Sequence, residues 1–154
     1  MSVQPSNELI VFVEDDVSEA EIFRGLIRKL GVNSFVRLYQ SGAEALRSIA
    51  SGADSEFPVS LYVLDINLPD ISGTELCKAI LAMPTSHRPR IAFLSHMPTR
   101  EAIKLCEENP QIALLKKPSR ISEYKDVIKE ILALANPPGV KETTMENGNL
   151  LARS

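Results

Sequence analysis

The amino-acid sequence predicts an α/β fold in which five parallel strands alternate with five helices. Two observations predict it. Short apolar runs alternate with segments of helical periodicity between residues 9 and 135, and the first run, residues 9–13, is apolar throughout. Strands that alternate with helices form a parallel sheet with right-handed crossovers and helices on both faces. The predicted strand order is 2-1-3-4-5, the order of a doubly wound sheet.

The five strands are predicted from short runs of apolar and β-branched residues. These runs are residues 9–13, 34–39, 59–64, 91–94 and 112–115. The first run contains no polar residue, which is typical of a parallel strand that is buried on both faces. The second run is the weakest, because it contains Ser34 and Arg37. The polar segment 51–58 is predicted to be a loop.

Apolar residues at helical spacing follow each strand. The first helix carries them on one face and ends at a glycine: Phe23, Leu26, Ile27, Leu30 and Gly31. Ser41, Ser72 and Thr99 are the predicted N-caps of the next three helices. The last helix is lined on one face by Ile121, Tyr124, Ile128, Ile131 and Ala135.

Length and composition limit the classes of protein that fit. A chain of 154 residues is one ordinary domain, which we place at residues 1–135. Residues 136–154 lack periodicity and aromatic side chains, so they are predicted to be a flexible tail or a truncated linker. The net charge of −3 argues against nucleic-acid binding by this domain.

The chain carries no sequence signal for export or for membrane insertion. The N-terminal residues show no signal peptide, and the longest apolar runs are far shorter than a membrane span. Cys77 and Cys106 are isolated within helical patterns, so we expect reduced, buried thiols rather than a disulfide or a zinc site. These features predict a cytoplasmic protein that does not contact a membrane.

Polar side chains follow four of the predicted strands. They are Glu14, Asp15 and Asp16 after the first strand, Asp65 after the third, Ser95 and His96 after the fourth, and Lys116 and Lys117 after the fifth. Because the carboxyl ends of parallel strands meet at one edge of the sheet, where ligands bind, we expect these side chains to lie close together.

The expected cluster suits phosphoryl transfer to a carboxylate. Two carboxylates ~4 Å apart repel each other by about 4 kcal/mol at an effective dielectric constant near 20, so the acidic group favours a bound cation. Oxygen ligands without His or Cys favour Mg²⁺. The Ser95 hydroxyl and the Lys117 ammonium suit the oxygens of a phosphoryl group. Metal, nucleophile, hydroxyl and cation together are the parts that such a transfer requires.

From about residue 9 to residue 135, the chain resembles the receiver domains of response regulators in bacterial two-component signalling, and in particular the single receivers of the chemotaxis-regulator type. The matching segments are residues 13–16, 65–73, 93–95 and 116–118. Asp65 and Ser95 are 30 positions apart and Ser95 and Lys117 are 22 apart, as in the family. The resemblance implies a flavodoxin-like doubly wound fold.

The resemblance also implies a role for each acidic residue. Asp65 is the expected phosphoacceptor. Asp15 and Asp65 are expected to ligate Mg²⁺, with Glu14 acting through a metal-bound water and Asn67 contributing its backbone carbonyl. Asp16 is expected to be only a charge at a helix N-terminus.

Ser95 and Lys117 are expected to bind the phosphoryl oxygens, and Pro118 resembles the proline that follows a cis peptide bond in the family. Two positions depart from the family pattern. Leu114 stands where an aromatic residue is usual. In the family this aromatic side chain on the fifth strand turns inward on phosphorylation, and Leu114 puts such a switch in doubt. His96 stands where a small residue is usual, which puts free access to the site in doubt.

The expected phosphodonor is a sensor histidine kinase or a phosphotransfer protein, and the output is an unknown protein target. A homodimer is possible. The chain is not expected to be an enzyme with an external substrate, although it would catalyse its own phosphorylation and dephosphorylation. Lys116 is expected at the surface, and Met97 is expected to be a packing residue.

Two alternatives remain open from the sequence. The chain could be a degenerate receiver that binds partners without phosphorylation. Leu114 and His96 are the residues that favour this alternative. Less well supported is a phosphohydrolase with an aspartyl nucleophile, since such enzymes have a second carboxylate where this chain has Asn67. Taken alone, Asp65 could also be a residue that caps a turn. The other charged side chains expected around it favour a functional role.

Overall fold

The computed structural model describes residues 8–30, 34–52, 59–83 and 89–135, in which five strands and five helices alternate. The strands are β1 (Glu8–Val13), β2 (Ser34–Tyr39), β3 (Val59–Asp65), β4 (Arg90–Ser95) and β5 (Ile112–Lys116). The helices are α1 (Val17–Leu30), α2 (Gly42–Ser51), α3 (Gly73–Ala82), α4 (Arg100–Glu108) and α5 (Ile121–Ala135).

The strands form one parallel sheet in the predicted order β2-β1-β3-β4-β5. The register brings the carboxyl ends of neighbouring strands together: Asp65 lies opposite Leu94, and Ser95 lies opposite Lys116. The predicted doubly wound fold is therefore confirmed, and the polar residues after β1, β3, β4 and β5 share one edge of the sheet.

A hydrophobic core lies on each face of the sheet. Val11 and Val13 of β1 belong to the core covered by α2, α3 and α4, whereas Ile10 and Phe12 belong to the core covered by α1 and α5. This alternation follows from the pleat of the strand, which points successive side chains to opposite faces. Burial on both faces explains the uninterrupted apolar sequence of β1.

The predicted N-caps are confirmed. The hydroxyl oxygens of Ser41, Ser72 and Thr99 each accept a hydrogen bond from a backbone N–H in the first turn of α2, α3 and α4. The loop predicted at residues 51–58 begins one residue later than expected, because Ser51 is the last residue of α2 and Gly52, with a φ of 78°, ends the helix. Residues 53–58 and Gly31 lie outside the described residues.

Two further expectations are corrected. The peptide bond before Pro118 is trans, since the described residues contain no cis peptide bond. Trans is the form that X–Pro bonds prefer by about 0.5–1 kcal/mol. Cys77 is buried as expected, but Cys106 is only half-buried. Residues 136–154, the predicted tail or linker, lie outside the described residues.

Within the described residues, no helix has both the length and the apolar character that crossing a bilayer requires.

Candidate functional site

Burial singles out four of the predicted site residues. In the part of the chain that the structure describes, the buried polar and charged side chains are Glu14, Asp65, Thr74, Ser95 and Lys117. Four of these five, all but Thr74, lie at or directly after the carboxyl end of a strand. Because charged groups are rarely buried without partners, Glu14, Asp65 and Lys117 must satisfy one another or bind a ligand.

The predicted acidic cluster is present. Glu14, Asp15 and Asp65 each offer a carboxylate oxygen, and these atoms lie within 4.8 Å of one another. Glu14 is held in place by its backbone N–H, which donates to Tyr39 O over 3.0 Å and so extends the pairing of β1 with β2. Asp15 is exposed, so it forms the solvent side of the cluster.

The start of α3 fixes the backbone around Asp65. The Gly73 N–H donates to Ile66 O over 2.9 Å, and a Cβ at position 73 would lie 2.3 Å from Asp65 O. Only glycine fits there without moving the backbone that carries Asp65. The Asn67 N–H donates to Asp65 Oδ1 over 3.1 Å, which orients the carboxylate.

Asp70 ties the same loop to α2. Its two carboxylate oxygens accept hydrogen bonds from the N–H groups of Gly42 (3.0 Å) and Ala43 (2.8 Å) at the helix N-terminus. The bond from Ala43, together with bonds from neighbouring N–H groups, holds the pKa of Asp70 below its usual value. The segment 65–73 is therefore anchored at α2 as well as at α3.

Lys117 carries the cation of the site. Its Nζ lies 2.9 Å from Glu14 Oε1, 2.9 Å from Glu19 Oε1 and 3.2 Å from Asp65 Oδ2. The Lys117 N–H donates to Ser95 O over 2.9 Å, which continues the pairing of β4 with β5. Burial by itself would lower the pKa of Lys117, but Glu14 and Glu19, followed by Asp65, raise it above its ordinary value. The side chain is therefore an ammonium that several carboxylates share.

Glu14 has a carboxylate oxygen that can accept a further ligand. Burial, assisted by the charge of Asp65 and opposed by Lys117, raises the pKa of Glu14 to about 8. Its Oε2 accepts a hydrogen bond from the Asp16 N–H (3.1 Å). Its buried Oε1 has an ion-pair contact with Lys117, but no donor among the described residues is aligned with it for a hydrogen bond.

These features fit a divalent metal ion. The donor set consists of carboxylate oxygens, which hard cations such as Mg²⁺ prefer, and a buried oxygen of Glu14 has no aligned donor. Asp15 and Asp65 are the residues that would hold the ion, with Glu14 beside them. The part expected of the Asn67 carbonyl stays a prediction.

The Ser95 hydroxyl forms hydrogen bonds with the backbone of the loop that follows β4. Ser95 Oγ donates to Met97 O (2.7 Å) and accepts from the Met97 N–H (3.0 Å). Ser95 is buried, whereas His96 and Met97 are exposed. The prediction that Met97 packs in the interior is wrong, because 78% of its surface is exposed. It follows the last residue of β4 by two positions, where the chain has already left the sheet.

Leu114 lies on β5 opposite Phe93 and packs, half-buried, against the core under α4. Pro118 is buried and Lys116 is exposed, the latter as expected. The effects of Leu114 on switching and of His96 on access to the phosphoacceptor site stay predictions.

Sequence reasoning missed Glu19. Its Oε1 contacts Lys117, and its Oε2 accepts a hydrogen bond from the Tyr124 hydroxyl over 3.0 Å. The Glu19 N–H donates to Asp16 Oδ1 (3.0 Å), which confirms Asp16 as a helix N-terminal charge. The spacing of the acidic residues could have indicated Glu19. It lies about one helical turn beyond the acidic residues that follow β1, so its side chain lies at the same carboxyl edge of the sheet.

Comparisons with known proteins identify the family of the chain. The family model described as the response regulator receiver domain matches residues 10–129. No curated protein matches the chain. A solved response regulator receiver domain from Rhodospirillum rubrum is 27% identical, with a TM-score of 0.65 and coverage of 80% of this chain and 90% of that one.

Two further solved structures share the fold. The Mn²⁺-bound form of the response regulator Rcp1 is 19% identical, with a TM-score of 0.68 and coverage of 82% of this chain and 92% of that one. The phosphorylated cyanobacterial phytochrome response regulator RcpA is 24% identical, with a TM-score of 0.71 and coverage of 86% and 96%. Receiver domains interact with histidine kinases or phosphotransfer proteins and are generally not classical enzymes. With most of its length matched, this chain belongs to the response regulator receiver family of two-component signalling.

Proposed function

We propose that this chain is a phosphoacceptor receiver. Asp65 takes a phosphoryl group from the phosphohistidine of a sensor histidine kinase or a phosphotransfer protein, in a reaction that depends on Mg²⁺, and the product signals through altered protein contacts. The observation that carries the proposal is the buried Lys117 ammonium, 3.2 Å from the carboxylate of Asp65 within an acidic cluster.

The charge balance supports a metal requirement. Four carboxyl groups, those of Glu14, Asp15, Glu19 and Asp65, surround or adjoin the ammonium of Lys117. This excess of negative charge opposes the approach of an anionic phosphodonor. When bound, Mg²⁺ supplies positive charge that offsets this repulsion and stabilises the charge on the transferred oxygens.

The names of two proteins with this fold are consistent with the proposal. One structure is a Mn²⁺-bound form and the other is phosphorylated. At their low identity these proteins share the fold alone with this chain. The proposal therefore rests on the residues of the site.

The chemistry assigned to the protein is a transfer between two nucleophiles. An oxygen of the Asp65 carboxylate forms a bond to phosphorus as the bond from phosphorus to the histidine nitrogen of the donor breaks. The nitrogen keeps the electron pair of the broken bond, and because the other ring nitrogen of the donor carries a proton, the donor leaves as a neutral imidazole. Lys117 then pairs with the phosphoryl oxygens, and Ser95 binds one of them after its hydroxyl leaves the Met97 backbone. In this scheme the chain catalyses only its own phosphorylation and dephosphorylation.

The test uses acetyl phosphate and Mg²⁺ with intact-mass spectrometry. We expect one phosphoryl adduct on the wild type, none on Asp65→Asn and none when the metal is removed with EDTA. Asp126→Asn is the matched control, because Asp126 is an exposed aspartate on α5, and it should be phosphorylated like the wild type.

Each alternative predicts a different result. An adduct that survives in Asp65→Asn would place the acceptor elsewhere. A wild type that stays unmodified by both acetyl phosphate and phosphohistidine donors would identify a degenerate receiver. Steady turnover of small phosphomonoesters would indicate the phosphohydrolase.

A further inference from the structure

Glu19 connects the phosphoacceptor site to the last helix. One oxygen of its carboxylate, Oε1, lies 2.9 Å from Lys117 Nζ, and the other, Oε2, accepts a hydrogen bond from the Tyr124 hydroxyl over 3.0 Å. The three residues come from α1, from the residue after β5 and from α5. A single carboxylate therefore contacts both the cation of the site and a side chain outside it.

We propose that Glu19 is a positioning residue that couples the Lys117 ammonium to Tyr124, so that helix α5 senses what occupies the site. The part of this proposal that concerns phosphorylation rests on the proposed function. The coupling itself depends only on the contacts of Glu19.

The environment makes these contacts strong enough to carry a coupling. The Glu19 side chain is 13% exposed and Tyr124 is 9% exposed, so water screens both contacts poorly. A hydrogen bond to a charged acceptor is also stronger than one between neutral groups. The Tyr124 ring is held by Phe23 of α1, with ring centroids 5.2 Å apart, which restricts where the hydroxyl can point.

The proton on Tyr124 stays in place under ordinary conditions. Burial, and then the hydrogen bond to Glu19, raises the pKa of Tyr124 to about 12. The phenol therefore remains a donor to Glu19 when the charge elsewhere in the site changes.

Occupation of the site must redistribute the contacts of Lys117. A phosphoryl group on Asp65 carries a charge of about −1.5 to −2, more than the carboxylate that it modifies. It draws the ammonium towards its own oxygens and away from Glu19. Glu19 then keeps Tyr124 as its remaining partner among these contacts, and the hydrogen bond from the hydroxyl changes in length and strength.

The first experiment measures the ring signals of ¹³C-labelled tyrosine by NMR. The chain has three tyrosines, so Tyr124→Phe assigns the signal of Tyr124. With Mg²⁺ and beryllofluoride, which stands in for the phosphoryl group, we expect the Tyr124 signal of the wild type to shift. In Glu19→Ala we expect less than half of that shift.

The matched control is Glu21→Ala, which removes the same charge from α1 at an exposed residue whose ion-pair partner is Arg24. It should keep the full shift. The Asn67 amide, which donates to Asp65 Oδ1, reports whether Mg²⁺ and beryllofluoride bind in each variant. If Glu19→Ala fails to fold, Glu19→Gln, which keeps the shape and removes the charge, replaces it.

A second experiment needs no occupant. In EDTA, Lys117→Met should shift the Tyr124 signal when Glu19 is present and leave it unchanged in the Glu19→Ala background. Equal shifts in both backgrounds, or a full response of Tyr124 to beryllofluoride in Glu19→Ala, would overturn the coupling. An Asn67 amide that does not respond to Mg²⁺ and beryllofluoride in the wild type would count against the proposed function, and the Lys117→Met comparison would still decide the coupling.

Discussion

The carboxyl edge of the sheet has two halves that are built differently. In the ion-pair half, made of Glu14, Glu19, Asp65 and Lys117, side chains from α1 and from the ends of three strands contact one another across long sequence distances. In the β4–α4 loop, residues 96–99, every residue is exposed, and the partner of the Ser95 hydroxyl among the described residues is the loop's own backbone at Met97.

This difference indicates which half moves when the site is occupied. Removing one partner of a buried ion pair typically costs about 3–5 kcal/mol. A neutral hydrogen bond contributes a net free energy of only about 1 kcal/mol, and exchanging it for another costs less than losing it. Ser95 can therefore leave Met97 for a phosphoryl oxygen far more easily than Asp65 can leave its neighbours. We expect the ion-pair half to bind, with the Lys117 ammonium changing partners inside it, and the β4–α4 loop to make the larger backbone movement.

The largest expected effect comes from Gly73→Ala. Its new Cβ would lie 2.3 Å from Asp65 O, a backbone atom that cannot turn away. Overpacking typically costs about 1–3 kcal/mol, and a backbone clash belongs at the upper end, so we expect a loss of about 3 kcal/mol in urea unfolding.

The control is Gly25→Ala on α1, where a new Cβ would meet no atom within 4 Å. It should raise the free energy of unfolding by about 0.5–1 kcal/mol, because alanine favours a helix over glycine. If Gly73→Ala were as stable as the wild type, the backbone of Asp65 would not be held as we describe.

The second effect is that of Lys117→Met in metal-free protein. It leaves Glu14, Glu19 and Asp65 without their shared cation, and protonation of Glu14 relieves part of the repulsion. We therefore expect a loss of about 2 kcal/mol, below the usual cost of breaking a buried pair. Saturating Mg²⁺ should recover much of this loss, because a cation that binds only the folded state stabilises it.

Lys116→Met is the matched control at the neighbouring exposed lysine, and its stability should change by no more than about 0.5 kcal/mol. If Lys117→Met weakened Mg²⁺ binding as strongly as Asp15→Asn, Lys117 would belong to the metal site rather than to the phosphoryl site.

The fold could be predicted from the sequence because its signals are local. The apolar run of β1, the caps Ser41, Ser72 and Thr99, and the helical spacing of apolar residues each occupy one short segment, and the strand order follows from the topology of such units. The site residues at strand ends followed from the same reasoning, since the fold brings strand ends together.

What could not be predicted depends on side-chain contacts between distant segments. Glu19 and Tyr124 are separated by 105 positions, and nothing in either segment indicates that they meet. The partners of Ser95 were equally hidden, because the hydroxyl can turn either to its own loop or to a ligand. The trans peptide bond before Pro118 could not be predicted either, because a resemblance between sequences indicates which residue is present but not the conformation of its backbone.

A third effect is the pH dependence that Glu14 gives to the free energy of unfolding. In metal-free protein its pKa is raised from 4.5 to about 8, so between these values the folded state binds more protons than the unfolded state. Its contribution to the free energy of unfolding is complete below pH 4.5 and decreases as the pH rises towards 8. Glu14→Gln should remove this dependence, and urea midpoints at pH 6 and pH 8.5 in EDTA measure it. A wild type and a variant with the same pH dependence would show that Glu14 is ionised across the range.

The smallest effect on stability is expected in the β4–α4 loop. Ser95→Ala removes two neutral hydrogen bonds to Met97, and because water can reach the exposed Met97 and replace part of them, the total cost should be about 1 kcal/mol. His96→Ala changes an exposed side chain and should leave the free energy of unfolding within about 0.5 kcal/mol of the wild type. Both substitutions should nevertheless reduce the amide shifts that Mg²⁺ and beryllofluoride produce in the loop.

The reason for this contrast is that stability and response depend on different contacts. In the wild type the bound anion attracts the Ser95 hydroxyl, and the imidazole of His96, the next residue in the chain, can donate a hydrogen bond to the new dianion. The loop and Thr99, which caps α4, should therefore show large amide shifts, whereas Leu114 offers no aromatic ring to turn inward. His96→Ala should lower the shift at Thr99 while the Asn67 amide still reports binding. Shifts confined to the metal ligands, with His96→Ala behaving as the wild type, would show that the loop does not relay the signal.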